Sequence, residues 1–353
     1  MTFPAVSHLN ATLKKTDMGL SLTLKRIVEQ KAILTREESR ALMAEILAGD
    51  FTEITLAGLL TALATRGETA AEIAGFAEAM RSAALRFPLD ASEREMLVDT
   101  CGSGGDLSGT FNISTAAALV ATAAGARVAK HGNRSVTSMC GSADVLEALG
   151  IPISQSPETG VEVLRRDGFL FLHAPELHPG MKAVNLVRRA LGVRSVFNIL
   201  GPMANPAGAP SQVMGVYAPH LVPVVAEAMA MLNTRHAFIV HGNGLDEITL
   251  DGATQVAQVK GRVVSLMTLR PEEVGLKSAP ISEVRGGDAA ENAAILTAIF
   301  AGEQGPRRDI VVLNAAAVLV VAGKAATLKE GVALAQSTID CGAVTALLEK
   351  LRS

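Results

Sequence analysis

Aromatic side chains are scarce in this chain: it has no tryptophan, one tyrosine and ten phenylalanines in 353 residues. Its core must therefore come from alanine, leucine, valine and isoleucine, which suit helices and parallel strands. Cysteine is equally sparse. Cys101, Cys140 and Cys341 lack metal-ligand spacing, and an odd, thin set of this kind points to reduced thiols in a cytoplasmic protein. Long apolar runs are missing too. The longest charge-free one, Ile310 to Gly323, is bounded by Asp309 and Lys324 and is shorter than the ~20 residues that span a bilayer. The first twenty residues contain no apolar stretch of signal-peptide type and read as a loose extension. Charge of one sign is also lacking. A net −3 gives no global attraction to nucleic acid or to an anionic membrane, so any polyanion must be held locally.

What the chain does have is a change of rhythm. Residues 22 to 86 read as helices throughout. Capping-box patterns stand at Thr35–Glu38 and Thr69–Glu72, with a further helix starting at Thr55. From Glu95 onward, short apolar runs alternate with alanine-rich helical stretches. Candidate strands are Leu97–Thr100, Arg127–Lys130, Gly168–Leu172, Gln212–Val216 and Ala237–Val240. This alternation predicts the α/β class: a small helical domain plus a larger domain with a central, mostly parallel sheet. The expected division is an extension over 1–21, a helical domain over 22–92 joined by about 180–211, and an α/β domain over 93–353. Met181–Leu191 reads as a helix followed by a turn at GPMANPAGAP, and Asp309–Ala322 and Leu328–Leu351 as closing helices.

The most informative stretch is Cys101 to Thr115, CGSGGDLSGTFNIST. Gly102, Gly104, Gly105 and Gly109 fall between a strand and a helix whose N-cap is expected at Ser114 or Thr115. Glycines let backbone N–H groups approach an anion, and the helix N-terminus adds partial positive charge. The spacing matches neither the dinucleotide nor the Walker pattern. A second loop, KHGNRSVTSMCGSAD, again follows a strand and offers Lys130, Arg134, Asn133 and several hydroxyls suited to phosphate oxygens. Loops at the ends of successive strands line one crevice in an open α/β sheet. Asp106 within such a site hints at Mg2+ or at a sugar hydroxyl. On the glycine-rich loop HGNGLDEIT, Asp246 and Glu247 can both reach one hydrated Mg2+. Arg188, Arg189 and Arg194 lie near helical spacing, and a guanidinium there can clamp a carboxylate. His173 and His178 have no partner pattern for a nucleophilic triad, so no catalytic nucleophile or base is assigned.

Taken in order, GSGGD (102–106), TFNIST (110–115), KHGNRSVTS (130–138), GSAD (141–144), the stretch from His178–Pro179 to Arg188, FNILGPMANP (197–206) and GLDEI (244–248) resemble the anthranilate phosphoribosyltransferase family. The resemblance runs from about Leu22 to the C-terminus. It implies a fold like that of the pyrimidine nucleoside phosphorylases and a homodimer formed through the helical domain. It implies transfer of the phosphoribosyl group of 5-phosphoribosyl-1-pyrophosphate to anthranilate, with release of pyrophosphate and use of Mg2+, in tryptophan biosynthesis. By position, Gly102, Gly105, Asp106, Thr110, Asn112, Ile113, Ser114 and Thr115 would hold the phosphoribosyl donor. Lys130, His131, Gly132, Asn133, Arg134, Ser135, Val136, Thr137, Ser138 and Ser142 would complete those contacts. Ser114, Asp246 and Glu247 would serve the metal, and Gly102, Asn133, His178 and Arg188 would face anthranilate.

Four residues depart from what is common in the family: Ser103 for Thr, Met139 for Lys, Cys101 for a glycine or small aliphatic residue, and His173 for Phe. A nucleoside phosphorylase shares the expected fold, but the paired acids in GLDEI and the KHGNR run argue against it. The net charge argues against a nucleic-acid-binding relative.

Overall fold

The computed structural model describes residues 17–105, 108–135 and 139–353. Four helices come first: α1 (Asp17–Gln30), α2 (Arg36–Ala48), α3 (Glu53–Arg66) and α4 (Ala70–Ala83). Their starts are encoded locally. The hydroxyls of Thr35 and Thr69 accept from the N–H groups of Glu38 and Glu72, whose carboxylates reach back to the cap residues. The third helix begins earlier than the sequence suggests. Its cap is Thr52, and Thr55 is the reciprocating third residue of that capping box. Glu72 does more than cap. Fully buried, it pairs with Arg66 at 2.6 Å and accepts the Leu34 N–H at 2.9 Å, tying α3 and α4 to the link between α1 and α2.

The chain then passes through α5 (Ala91–Glu95), β1 (Leu97–Gly102), α6 (Ile113–Ala123), β2 (Arg127–Gly132), α7 (Ser142–Ala148), α8 (Pro157–Asp167) and β3 (Phe169–His173). Next come α9 (Ala174–Leu177), α10 (Met181–Leu191), α11 (Val196–Met203), β4 (Ser211–Gly215), α12 (Leu221–Met231) and β5 (His236–Gly242). The strands β6 (Thr254–Lys260) and β7 (Val263–Leu269) precede α13 (Ala289–Phe300), α14 (Pro306–Val321), α15 (Leu328–Asp340) and α16 (Ala343–Leu351).

Three local expectations are corrected. The GPM of the expected turn continues α11, with Pro202 inside its last turn, where the ring removes one intrahelical N–H donor. The closing helix is two helices, α15 and α16, split by a 68° bend. Gly342 is left-handed there, with φ 76°. The antiparallel β6 and β7 were absent from the candidate strands. β7 is an edge strand exposed along most of its length although its sequence, VVSLMTL, is largely apolar, and with β6 it forms an antiparallel pair outside the strand–helix alternation.

The sheet runs β3-β2-β1-β4-β5-β6-β7, with β1 to β5 parallel. Strand alternation sends Val98, Val128, Val213 and Phe238 into a core with α6, α14 and α16. It sends Met214, Val216, Ala237 and Ile239 into a second core with α2, α3, α4 and α12. Helices α10 and α11 pack on α2, α3 and α4 within that second core. The strand order reverses direction at β1, between β2 and β4, where an open α/β sheet forms its ligand crevice at the carboxyl ends of the strands.

Candidate active site

At that reversal point the glycine loop leaves β1. Gly104 and Gly105 are consecutive left-handed residues, at φ 67° and 78°, a backbone that residues with a Cβ rarely adopt. The paired acids reach this loop from the far side of the crevice. Asp246 Oδ2 accepts the Gly104 N–H at 2.6 Å, and Glu247 Oε1 accepts the Ser114 N–H at 3.1 Å. The approach is so close that a Cβ on Gly102 would collide with the Asp246 carboxylate, and one on Gly215 with the Asp246 backbone. Because 246 and 247 lie on a bend rather than a strand, both carboxylates face the same loop.

The first turn of α6 differs from expectation in its cap. The N-cap is Asn112, not Ser114 or Thr115. The Asn112 side chain does not cap the helix. It donates to the Cys140 carbonyl at 3.2 Å and accepts from Asn292 at 2.9 Å, joining the two candidate phosphate loops to α13. Ile113 is a core residue, so only its backbone can serve a ligand. Thr115 is buried with its hydroxyl unpartnered. Thr110 forms an isolated bridge to Arg285, and its hydroxyl lies 3.3 Å from that of Ser108.

The second loop is divided by strand alternation. Lys130 is buried on the α6 side, where its ammonium donates to the Thr100 carbonyl at 2.5 Å and to Ser114 Oγ at 3.3 Å. It reaches the loop through Ser114. His131 points to the opposite face. Its Nδ1–H donates to the Gly201 carbonyl at 3.0 Å, which leaves Nε2 with a lone pair, buried and without a partner. Its ring centre lies 5.1 Å from that of His178, whose Nε2 is also buried and unpartnered. Desolvation, with the second imidazole nearby, pushes His131 down to about 3; desolvation alone takes His178 down to about 4. Both are neutral at pH 7. His131 and Lys130, adjacent in sequence, thus lie on opposite faces of the sheet.

Beyond Gly132, the Ser142 hydroxyl accepts the Asn133 N–H and donates to the Asn133 carbonyl, both at 3.2 Å, and Asp144 accepts from the N–H groups of Ser135 and Gly141. Gly132 has no room for a side chain, because the Ser142 hydroxyl and the Phe171 ring press against it. Arg134 is held by Asp144 at 3.0 Å and Glu147 at 2.8 Å, so a ligand phosphate must compete with two carboxylates for it. Asp106, Val136, Thr137 and Ser138 lie outside the described residues.

On α10, Arg188 is half-buried. Its guanidinium meets the Asn185 amide at 3.3 Å and lies 5.4 Å from the centre of the Phe197 ring. No carboxylate among the described residues lies within ion-pair distance of it, and desolvation lowers its pKa. Arg189 is exposed. Among the described residues no direct bond joins Arg188 to Gly102 or Asn133. His173 pairs with Glu176 through Nδ1 at 3.0 Å, and its Nε2 is buried and unpartnered.

Sequence reasoning missed the support beneath the site. Asp99 is fully buried, accepting from Asn205 at 2.8 Å and from the His131 N–H at 3.1 Å, and its pKa is pushed up by burial. Asn205 also reaches the Ala129 carbonyl at 2.8 Å. Side chains thus bridge β1 and β2 where the crevice opens. The signal was present as a lone acid inside the apolar run LVDT. Arg194, exposed on the link after α10, donates to the Gly105 carbonyl.

The oxygen-only donors Asp246, Glu247 and Ser114 have the chemistry of a Mg2+ site. Among the described residues there is no cluster of three or more His, Cys, Asp or Glu side chains that could hold a metal alone.

Both the sequence and the fold have counterparts among known proteins. Residues 94–345 match the glycosyl transferase family, a/b domain, and residues 22–84 match its helical bundle domain. The chain is 46% identical over 334 residues to the anthranilate phosphoribosyltransferase of Desulfitobacterium hafniense, covering 94% of this chain and 97% of that protein. It is 50% identical over 319 residues to that of Anaeromyxobacter dehalogenans, covering 90% and 93%. The crystal structure of the Thermus thermophilus anthranilate phosphoribosyltransferase superposes with a TM-score of 0.87 at 44% identity, covering 93% of this chain and 98% of that one. The Saccharomyces cerevisiae enzyme, solved in complex with 5-phosphoribosyl-1-pyrophosphate and Mg, gives 0.85 at 28% identity, covering 96% and 98%. Motif order, sheet topology and sustained identity along both domains lead to one conclusion: the chain belongs to the anthranilate phosphoribosyltransferase family.

Proposed function

We propose that the chain transfers the phosphoribosyl group of 5-phosphoribosyl-1-pyrophosphate to the amine of anthranilate, giving N-(5-phosphoribosyl)anthranilate and pyrophosphate in tryptophan biosynthesis. The observation that carries this reading is the convergence of Asp246 and Glu247 on the β1–α6 loop. The loop's glycines and the first turn of α6 offer N–H groups to the diphosphate. Two of those groups, on Gly104 and Ser114, are held by the acids in this structure. Asp246, Glu247 and Ser114 are the residues to hold Mg2+, which when bound supplies positive charge against the departing pyrophosphate. Lys130 orients Ser114 from beneath.

On the other side, Arg188 offers a carboxylate a charge-assisted contact. The neutral imidazoles of His131 and His178 offer unpartnered nitrogens in a desolvated wall. Asn133 and the backbone at Gly102 complete the acceptor contacts. The arylamine is a neutral nucleophile at pH 7, so the reaction needs no strong base, and rate comes from positioning and electrostatics. We further propose a homodimer through the helical domain. Leu22, Ile33 and Ile54 expose apolar side chains there, Ile54 to 85%.

The test is the loss of anthranilate fluorescence on mixing the protein with 5-phosphoribosyl-1-pyrophosphate and Mg2+. The expected decay requires all three components. A chain that leaves anthranilate untouched but cleaves a nucleoside with inorganic phosphate refutes the reading.

A further inference from the structure

We propose that Arg194 is a positioning residue that locks the glycine loop into its anion-binding shape and ties it to the helix carrying Arg188. This rests on the reading that the loop receives 5-phosphoribosyl-1-pyrophosphate. Arg194 lies on the link between α10 and α11. Its Nη2 donates to the Gly105 carbonyl. Its guanidinium carbon lies 4.6 Å from the centre of the Tyr217 ring. Tyr217 in turn donates its N–H to the Ser103 hydroxyl at 2.9 Å, and the Ser103 N–H donates to the Gly215 carbonyl at 2.9 Å. A closed circuit results, in which the start of the loop is fixed to the end of β4 and its middle is fixed, through Arg194, to a ring on the same segment. A charge from the helical domain acts on this circuit. Glu68 is largely buried with Oε1 unpartnered, and its charge, after desolvation, helps push the Tyr217 phenol up.

The lock answers a specific weakness. Two consecutive left-handed glycines give the loop its shape but leave it much conformational freedom when unbound. Donors that must meet a diphosphate work best when ordered beforehand. A planar guanidinium can stack on a ring and hold a carbonyl at once, whereas an ammonium cannot.

Steady-state kinetics of Arg194→Ala, Arg194→Lys and Tyr217→Leu test this, with Arg189→Ala as control. The thermal shift produced by 5-phosphoribosyl-1-pyrophosphate and Mg2+ without anthranilate is measured in parallel. Arg194→Ala should raise the KM for the phosphoribosyl donor about tenfold or more, change that for anthranilate less than about twofold, and lose most of the thermal shift. Arg194→Lys should fall between it and wild type, and Tyr217→Leu should cost a few-fold. If Arg194→Ala fails to fold, the other two variants decide on the same readouts. A wild-type shift that Arg194→Ala retains overturns the proposal alone, as does a parallel rise in both KM values or full rescue by lysine. A wild-type chain that shows no shift overturns the functional reading along with it.

Discussion

Strand β2 sends adjacent residues to two unlike environments. On one face Lys130 is buried, and its ammonium is committed to Thr100 and Ser114 beneath the glycine loop. On the other, buried His131 lies beside His178, each with an unpartnered nitrogen. The first face is built of charges and backbone donors that already hold one another. The second is desolvated, with its imidazoles neutral, and Arg188 on α10 has no described carboxylate within ion-pair distance. The difference fits the needs of the two substrates. A diphosphate needs fixed, compensated charge, whereas an aromatic amine with one carboxylate needs an apolar wall, one cation and a few directed polar atoms.

The largest expected effect comes from breaking the charged side. Asp246→Asn combined with Glu247→Gln should cost at least about a hundredfold in Mg2+-dependent turnover. The far-ultraviolet circular dichroism should stay unchanged. Wild-type turnover at limiting Mg2+ would remove these acids from the metal site.

A smaller effect probes the neutral side by pH. Unfolded imidazoles titrate near ~6.5, whereas His131 and His178 in the fold lie at about 3 and about 4. Between those limits the unfolded state binds protons that the folded state refuses. Their contribution to stability therefore falls as pH drops below ~6.5, levels off below the folded values, and is constant above ~7. Melting temperature followed from pH 7 to pH 4 should show this acid loss, with a shallower slope in His178→Asn. Superimposable slopes would mean that the pair is not held neutral.

The smallest effect on turnover is expected from Ile54→Lys with Leu22→Lys. Both sides of the crevice belong to one chain, so this variant should sediment as a monomer at micromolar concentration with turnover within about twofold of wild type. A variant that remains dimeric would move the interface off this face.

The glycine loop, the KHGNR loop and the acid pair were legible because each is a local pattern following a short apolar strand. The sheet's parallel part was legible for the same reason. What escaped the sequence was everything set by long-range packing. The split of Lys130 from His131 follows from the pleat once the strand is known to extend to Gly132. Its consequence depends on what each face packs against, and no local pattern encodes that. Asp99 and Asn205 meet across more than a hundred residues. The bond from the exposed Arg194 to the Gly105 carbonyl spans 89 residues, so no local pattern marks it. β6 and β7 escaped because they follow one another as an antiparallel pair, outside the strand–helix alternation by which the other strands are read.

The claim that the two faces serve two substrates is tested most directly by both KM values of Arg188→Ala, measured beside Arg189→Ala. A charge-assisted contact is worth roughly 1.5–3 kcal/mol. Arg188→Ala should therefore lose about ten- to hundredfold in kcat/KM for anthranilate while its KM for 5-phosphoribosyl-1-pyrophosphate stays within about twofold. Arg189→Ala, whose side chain is exposed, should match wild type in both. An Arg188→Ala enzyme with normal anthranilate kinetics, or one impaired equally toward both substrates, would contradict the division.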